Sequence, residues 1–166
     1  MKIKLLIVVI ISLCAAATTF AQIETMPDSV QRTLKTRFQS WEVSSVSNDV
    51  LEYYKKEKSA DFPNAIKGDW NGDRKMDYAF LLQNRADKDK KILVALMASG
   101  KGSTSHVIGE AHDGLMSGKK GSKGYDQNRK RSFRFENDGI VSMIWEKTGT
   151  TYFWRKGRFQ GVLTSD

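Results

Sequence analysis

The sequence predicts an α+β domain, an antiparallel β-sheet of short strands with an N-terminal amphipathic helix packed on it. Three observations predict it. Val30, Leu34, Phe38 and Trp41 recur at helical spacing with polar residues between them. Tyr78–Leu82 and Ile92–Met97 are continuous apolar runs on either side of a charged turn, as strands buried on both faces require. From Ser132 onward, short apolar stretches alternate with tight-turn residues.

Size and composition agree with one domain. The chain has 166 residues, 40% hydrophobic and 28% charged, which excludes collagen-like, low-complexity and wholly disordered classes. Two prolines leave no Pro-rich linker. Met1–Ala21 has a basic start (Lys2, Lys4), an apolar run over Leu5–Leu13 and small residues before Gln22. That is the pattern of a secretory signal peptide, so 1–21 is expected to be removed and 22–166 to form a single domain, periplasmic or secreted. A membrane anchor would need a longer apolar stretch, roughly 20 residues. Lipidation at Cys14 is disfavoured by Leu13 before it. The single cysteine leaves with the signal. The remainder then has no disulfide and no cysteine ligand or nucleophile, and no transmembrane span is expected in it.

Along the rest of the chain, a helix is expected over about 27–41, covering one sheet face. Ser44–Asp49 reads as loop, and Val50–Lys56 as an edge strand or a helical turn. Tyr78–Leu82 and Ile92–Met97 form a central hairpin, followed by a weaker strand over Ser105–Gly109. Leu115–Gln127, rich in Gly, Lys and Ser, reads as a mobile loop. Ser132–Glu136, Ile140–Trp145, Thr151–Trp154 and Phe159–Leu163 are then strands of a meander. Asn137-Asp138-Gly139, Lys147-Thr148-Gly149 and Lys156-Gly157 supply the turns. Trp145, Tyr152, Trp154 and Phe159 are expected in or near the core, the alternative being a sugar-binding platform.

One segment carries chemistry. Gly68–Leu82 reads GDWNGDRKMDYAFLL. Asp69, Asn71, Asp73 and Asp77 occupy the first, third, fifth and ninth places of a short loop, where side-chain oxygens can converge on one point. A hard cation such as Ca²⁺ takes six to eight oxygens at about 2.3–2.6 Å, and the main-chain carbonyl of Lys75 and water can complete the shell. The competing reading is a polar turn whose acids pair with Arg74, Lys75 or backbone.

The segment resembles the D-x-N-x-D-G-x-x-D calcium loop of FG-GAP and VCBS-type repeats, commonly written GDFNGDGxxDxAVL. The resemblance implies Asp69, Asn71, Asp73 and Asp77 as side-chain ligands of a structural Ca²⁺ and Lys75 as a main-chain ligand. It covers the loop alone, in a single copy, so a repeat propeller is not implied. Arg74 stands where the family has glycine, at a cost of about 1 kcal/mol if that position needs a positive φ. Phe80 at the twelfth place excludes the EF-hand version. The ending EKTGTTYFWRKGRFQGVLTSD resembles small exported bacterial proteins of unassigned function that carry one such loop, and the Ala21-Gln22 junction resembles Bacteroidota signal peptides.

Lys119, Lys120, Lys123, Arg129, Lys130 and Arg131 form a basic cluster suited to an acidic protein or an anionic envelope component. With Tyr125 as its only aromatic, it does not read as a specific nucleic-acid site. The H-x₅-H spacing of His106 and His112 fits no familiar zinc pattern. Glu146 is the best placed single acid, within a predicted strand. The sequence therefore reads as a non-enzymatic exported binding protein with one Ca²⁺ loop and a basic loop, of which an inhibitor or immunity protein would be one form. The alternative is an envelope hydrolase or carbohydrate-binding domain using Glu146, the aromatic strands or the histidines.

Overall fold

A computed structural model describes residues 26–100 and 102–164. The expected signal peptide, with Cys14, lies outside the described residues. These fall into two compact units, one ending at Gln39 and one beginning at Ser40.

The first unit contains helix α1, Asp28–Arg37. Pro27 precedes it in an extended conformation, which fits a residue whose ring fixes φ and cannot donate. Asp28 in the first turn and Lys35 and Arg37 in the last complement the helix dipole. The helix is shorter than its periodicity suggests. Phe38 N closes the last turn on Leu34 O, and Trp41 belongs to a strand instead.

The second unit holds two antiparallel sheets. The first contains β1 (Trp41–Val43), β2 (Ala65–Gly68), β3 (Asp77–Asn84), β4 (Lys91–Ser99) and β5 (Gly102–Glu110). β1 and β2 lie end to end along one edge of β3, with Val43 opposite Leu82 and Gly68 opposite Asp77. β4 and β5 follow on the other edge, so the expected central hairpin is β3–β4. The second sheet has the order β6-β9-β10-β11-β7-β8. Its strands are β6 (Gly114–Gly118), β7 (Lys123–Asp126), β8 (Arg131–Arg134), β9 (Gly139–Ile144), β10 (Thr148–Arg155) and β11 (Arg158–Thr164). Lys156 and Gly157, at φ 51° and 76°, turn β10 into β11 as a two-residue hairpin demands.

Alternation builds the core. Ala79, Leu81, Leu93, Ala95 and Met97 meet Leu115 and Ile140 of the second sheet, with Ile66 and Trp70 beside them. Tyr152, Trp154 and Phe159 pack against this cluster, as expected. The intervening residues Phe80, Leu82, Val94 and Leu96 are also buried, which is why both runs are continuously apolar. A second cluster seats helix α2 (Asn48–Lys56) through Val50 and Tyr54 on Met143, and here Trp145 packs, edge-on to Tyr53 at 5.3 Å. Ser47 caps α2, its Oγ accepting from Val50 N at 3.4 Å. Tyr54 OH donates to Leu115 O.

Two further expectations fail. Leu115–Gln127 is not a loop; it contains β6 and β7. Leu115 is fully buried, and the glycines serve close packing: a Cβ on Gly118 would lie 2.2 Å from the Phe135 ring and one on Gly124 2.3 Å from the Phe133 ring. Glu146 is not in a strand but in the β9–β10 turn, at φ 57°. Val50–Lys56, open between strand and helix, is helical because its apolar residues face Met143. No described helix is long and apolar enough to cross a membrane.

Candidate cation loop and basic hairpin

The loop between β2 and β3 folds over its own backbone. Asp69 Oδ1 accepts from Gly72 N at 2.8 Å and Oδ2 from Arg74 N at 2.9 Å. Asn71 Oδ1 accepts from Asp73 N at 3.0 Å, and Asp73 Oδ1 from Lys75 N at 2.9 Å. These are the local turns that short Asp and Asn side chains favour. Gly72 and Arg74 both have positive φ, 78° and 66°, so the conformation expected of glycine at position 74 is adopted by arginine. Lys75 Nζ lies 3.7 Å from Asp73 Oδ2, a half-exposed contact of little energetic weight. Asp69, Asn71 and Asp73 thus present ordered oxygens of the kind hard cations take.

Asp77 behaves differently. It is fully buried, with Oδ2 accepting from Trp70 N at 3.1 Å and Oδ1 from Ala98 N at 2.7 Å. It thereby joins the loop to the start of β3 and the end of β4. Burial pushes its carboxyl up to about 6, with the Asp73 and Asp69 carboxylates adding to the rise and the two N–H donors opposing it. Trp70, beside it, is buried with its ring over Gly68, and its Nε1 has no hydrogen-bond partner. No group of three His, Cys, Asp or Glu side chains among the described residues is arranged to hold a metal ion. A cation in the loop would rely on amide, main-chain and water oxygens as well.

Sequence reasoning missed Asp138. The sequence marks Asn137-Asp138-Gly139 only as a turn, yet Asp138 Oδ2 accepts from Asp69 N at 3.1 Å and Oδ1 from Lys120 N at 3.0 Å. One carboxylate therefore ties the acidic loop to the segment leading into the basic cluster. No local signal marks such a contact, because the residues it joins are 69 and 18 positions away.

The basic cluster is a strand hairpin with its flanking turns rather than a loop. Lys119, Lys120, Lys123, Arg129, Lys130 and Arg131 are all exposed. The pleat divides them. Lys123 faces Arg134 across the ladder, with Tyr125 facing Ser132 next to them, whereas Arg131 shares the other face with Asp126. Arg134 also belongs to the cluster, and its Nη1 donates to Gly121 O at 2.7 Å. The Phe133 ring contacts Phe135 and Phe153 at 5.3 and 5.0 Å, which anchors the hairpin to the sheet.

The histidines have separate partners. His106 sits edge-on to Trp154 at 5.0 Å, and burial lowers its pKa. His112 Nδ1 lies 3.2 Å from Ser142 Oγ. Comparison with family models, with curated proteins and with solved structures returns no match for this chain.

Proposed function

We propose that the chain is a small exported binding protein, periplasmic or secreted, that performs no reaction of its own. One Ca²⁺, held in the FG-GAP/VCBS-like loop by Asp69, Asn71, Asp73 and Asp77 with the Lys75 carbonyl, braces the entry to β3. The hairpin β7–β8 presents its cations to an acidic protein or an anionic envelope component; an inhibitor that plugs a partner's cleft is one form of this role.

The observation that carries the reading is the placement of charge. Between Gly118 and Phe135 stand seven Lys/Arg, all exposed, and one acid, Asp126, which is 4% exposed and accepts from Arg129 N. Residues 22–117 and 136–166 hold 18 Lys/Arg against 18 Asp/Glu. The net charge beyond the expected signal is thus concentrated on one hairpin, where Lys123 and Arg134 are set opposite each other as like charges. The left-handed Arg74, at the place where the resembled loop has glycine, supports the cation. At ~1 mM Ca²⁺ and a Kd of ~0.1 mM, typical of extracellular modules, such an ion stabilises by about 1.4 kcal/mol.

Terbium tests the loop, because Trp70 lies within it. Excitation of tryptophan should give terbium luminescence that added Ca²⁺ quenches. An Asp73→Ala variant that luminesces as brightly as the parent contradicts the site. For the hairpin, alanine at Lys119, Lys120 and Lys123 should abolish salt-sensitive binding to envelope extract; binding that persists unchanged eliminates the basic-surface role.

A further inference from the structure

A groove of about 190 Å³ opens beside α2 and the β9–β10 turn, lined by Tyr53, Met143, Ile144, Trp145 and Glu146. Two partly buried aromatic rings, both packed on the Val50–Tyr54–Met143 cluster, stand in its wall, 5.3 Å apart and inclined at 67°. Met143 is nearly buried. Glu146 is exposed and held at φ 57°, a left-handed conformation that costs a non-glycine residue about 1–2 kcal/mol. The conformation is that of a short hairpin turn, as at Lys156 between β10 and β11. The wall is fixed from behind: Trp145 N donates to Asp113 Oδ2 at 2.8 Å, which brings a second carboxylate close to the indole's backbone.

We infer that this groove binds a small organic cation, an alkylammonium or quaternary ammonium group, seated against the Tyr53 and Trp145 rings with Glu146 as its counter-ion. The electron-rich faces of Trp and Tyr attract a weakly hydrated cation, and a carboxylate at the rim adds Coulombic attraction. A neutral sugar fits less well. It needs several hydrogen-bonding partners, whereas Met143 and Ile144 of the lining offer none of strength and the two aromatic side chains offer a single polar group each. The inference is independent of the cation loop and of the basic hairpin.

Choline tests it against its neutral isostere, 3,3-dimethyl-1-butanol, with the indole N–H resonance of Trp145 as the reporter. Choline should shift that resonance saturably and bind about 2- to 30-fold more tightly than the isostere, the range that cation–π attraction spans from exposed to desolvated sites. Glu146→Gln, at an exposed position, should weaken choline and leave the isostere unchanged. Equal affinity for the two probes would reduce the groove to an apolar cleft. So would a Glu146→Gln variant that binds choline as the parent does. Absence of saturation, with a Kd above about 0.1 M, overturns the inference, as does saturable binding of glucose where choline is silent.

Discussion

Asp138 and Asp69 hold each other by reciprocal hydrogen bonds: Asp138 Oδ2 accepts from Asp69 N at 3.1 Å, and Asp138 N donates to Asp69 O at 3.2 Å. The turn before β9 is thereby fastened to the first residue of the acidic loop. The remaining carboxylate oxygen of Asp138 accepts from Lys120 N, at the foot of the basic hairpin. Asp138→Ala should strip partners from two backbone N–H groups and cost about 1–3 kcal/mol. Urea denaturation checks this; an unchanged midpoint would mean that water replaces the carboxylate at both donors.

Asp77 makes the second such knot, and it is buried. Asparagine is nearly isosteric but turns an NH₂ toward one of the two donors, Trp70 N or Ala98 N. Asp77→Asn should therefore destabilise by about 1–3 kcal/mol even in EDTA, where no divalent ion contributes. A variant as stable as the parent under those conditions would show that neither N–H needs the carboxylate.

Arg74 and Gly72 make opposite demands on the loop. Arg74→Gly relieves a positive φ and should raise stability by up to about 1 kcal/mol. Gly72→Ala imposes strain at φ 78° and sets a Cβ 2.7 Å from Asn137 Oδ1, so it should lower stability by more than about 1 kcal/mol. Thermal melts of the two variants should move in opposite directions; a common direction would contradict this account of the loop.

Tyr54 predicts an alkaline limit. Burial raises its phenol above the usual 10, and the Asp61 carboxylate raises it further. The folded chain thus favours the neutral phenol. The corresponding stability is complete below pH ~10 and lost as the pH climbs above it, because the unfolded chain releases its proton first. Tyr54→Phe forfeits the bond to Leu115 O, costing about 1–2 kcal/mol at pH 7, but it also removes the titration. The gap in urea midpoint between parent and variant should narrow above pH 10. A gap constant from pH 8 to 11 would assign no linkage to this tyrosine.

The legible parts of the fold share one property: their signal is local. β3 and β4 announce themselves because strands buried on both faces need unbroken apolar runs, and the meander from β9 to β11 is punctuated by residues that favour turns. The acidic loop is legible for the same reason, since its oxygens recur at alternate positions and bond to N–H groups within five residues. The segment 115–127 misleads because glycine has two uses. It loosens a chain, and it also admits an aromatic ring against backbone, as Gly118 does for Phe135; composition does not separate them.

Chain order alone thus places the apolar strands, the turns and the acidic loop, because short-range sterics and spacing along the backbone dictate them. The sharing of β3's edge by β1 and β2, the union of Asp138 with Asp69 and Lys120, the split of the basic residues across two faces of a hairpin and the meeting of Tyr53 with Trp145 all depend on folding. Each joins residues that are neighbours in space but distant in the chain, and only the packing of two sheets and a helix brings them within bonding reach.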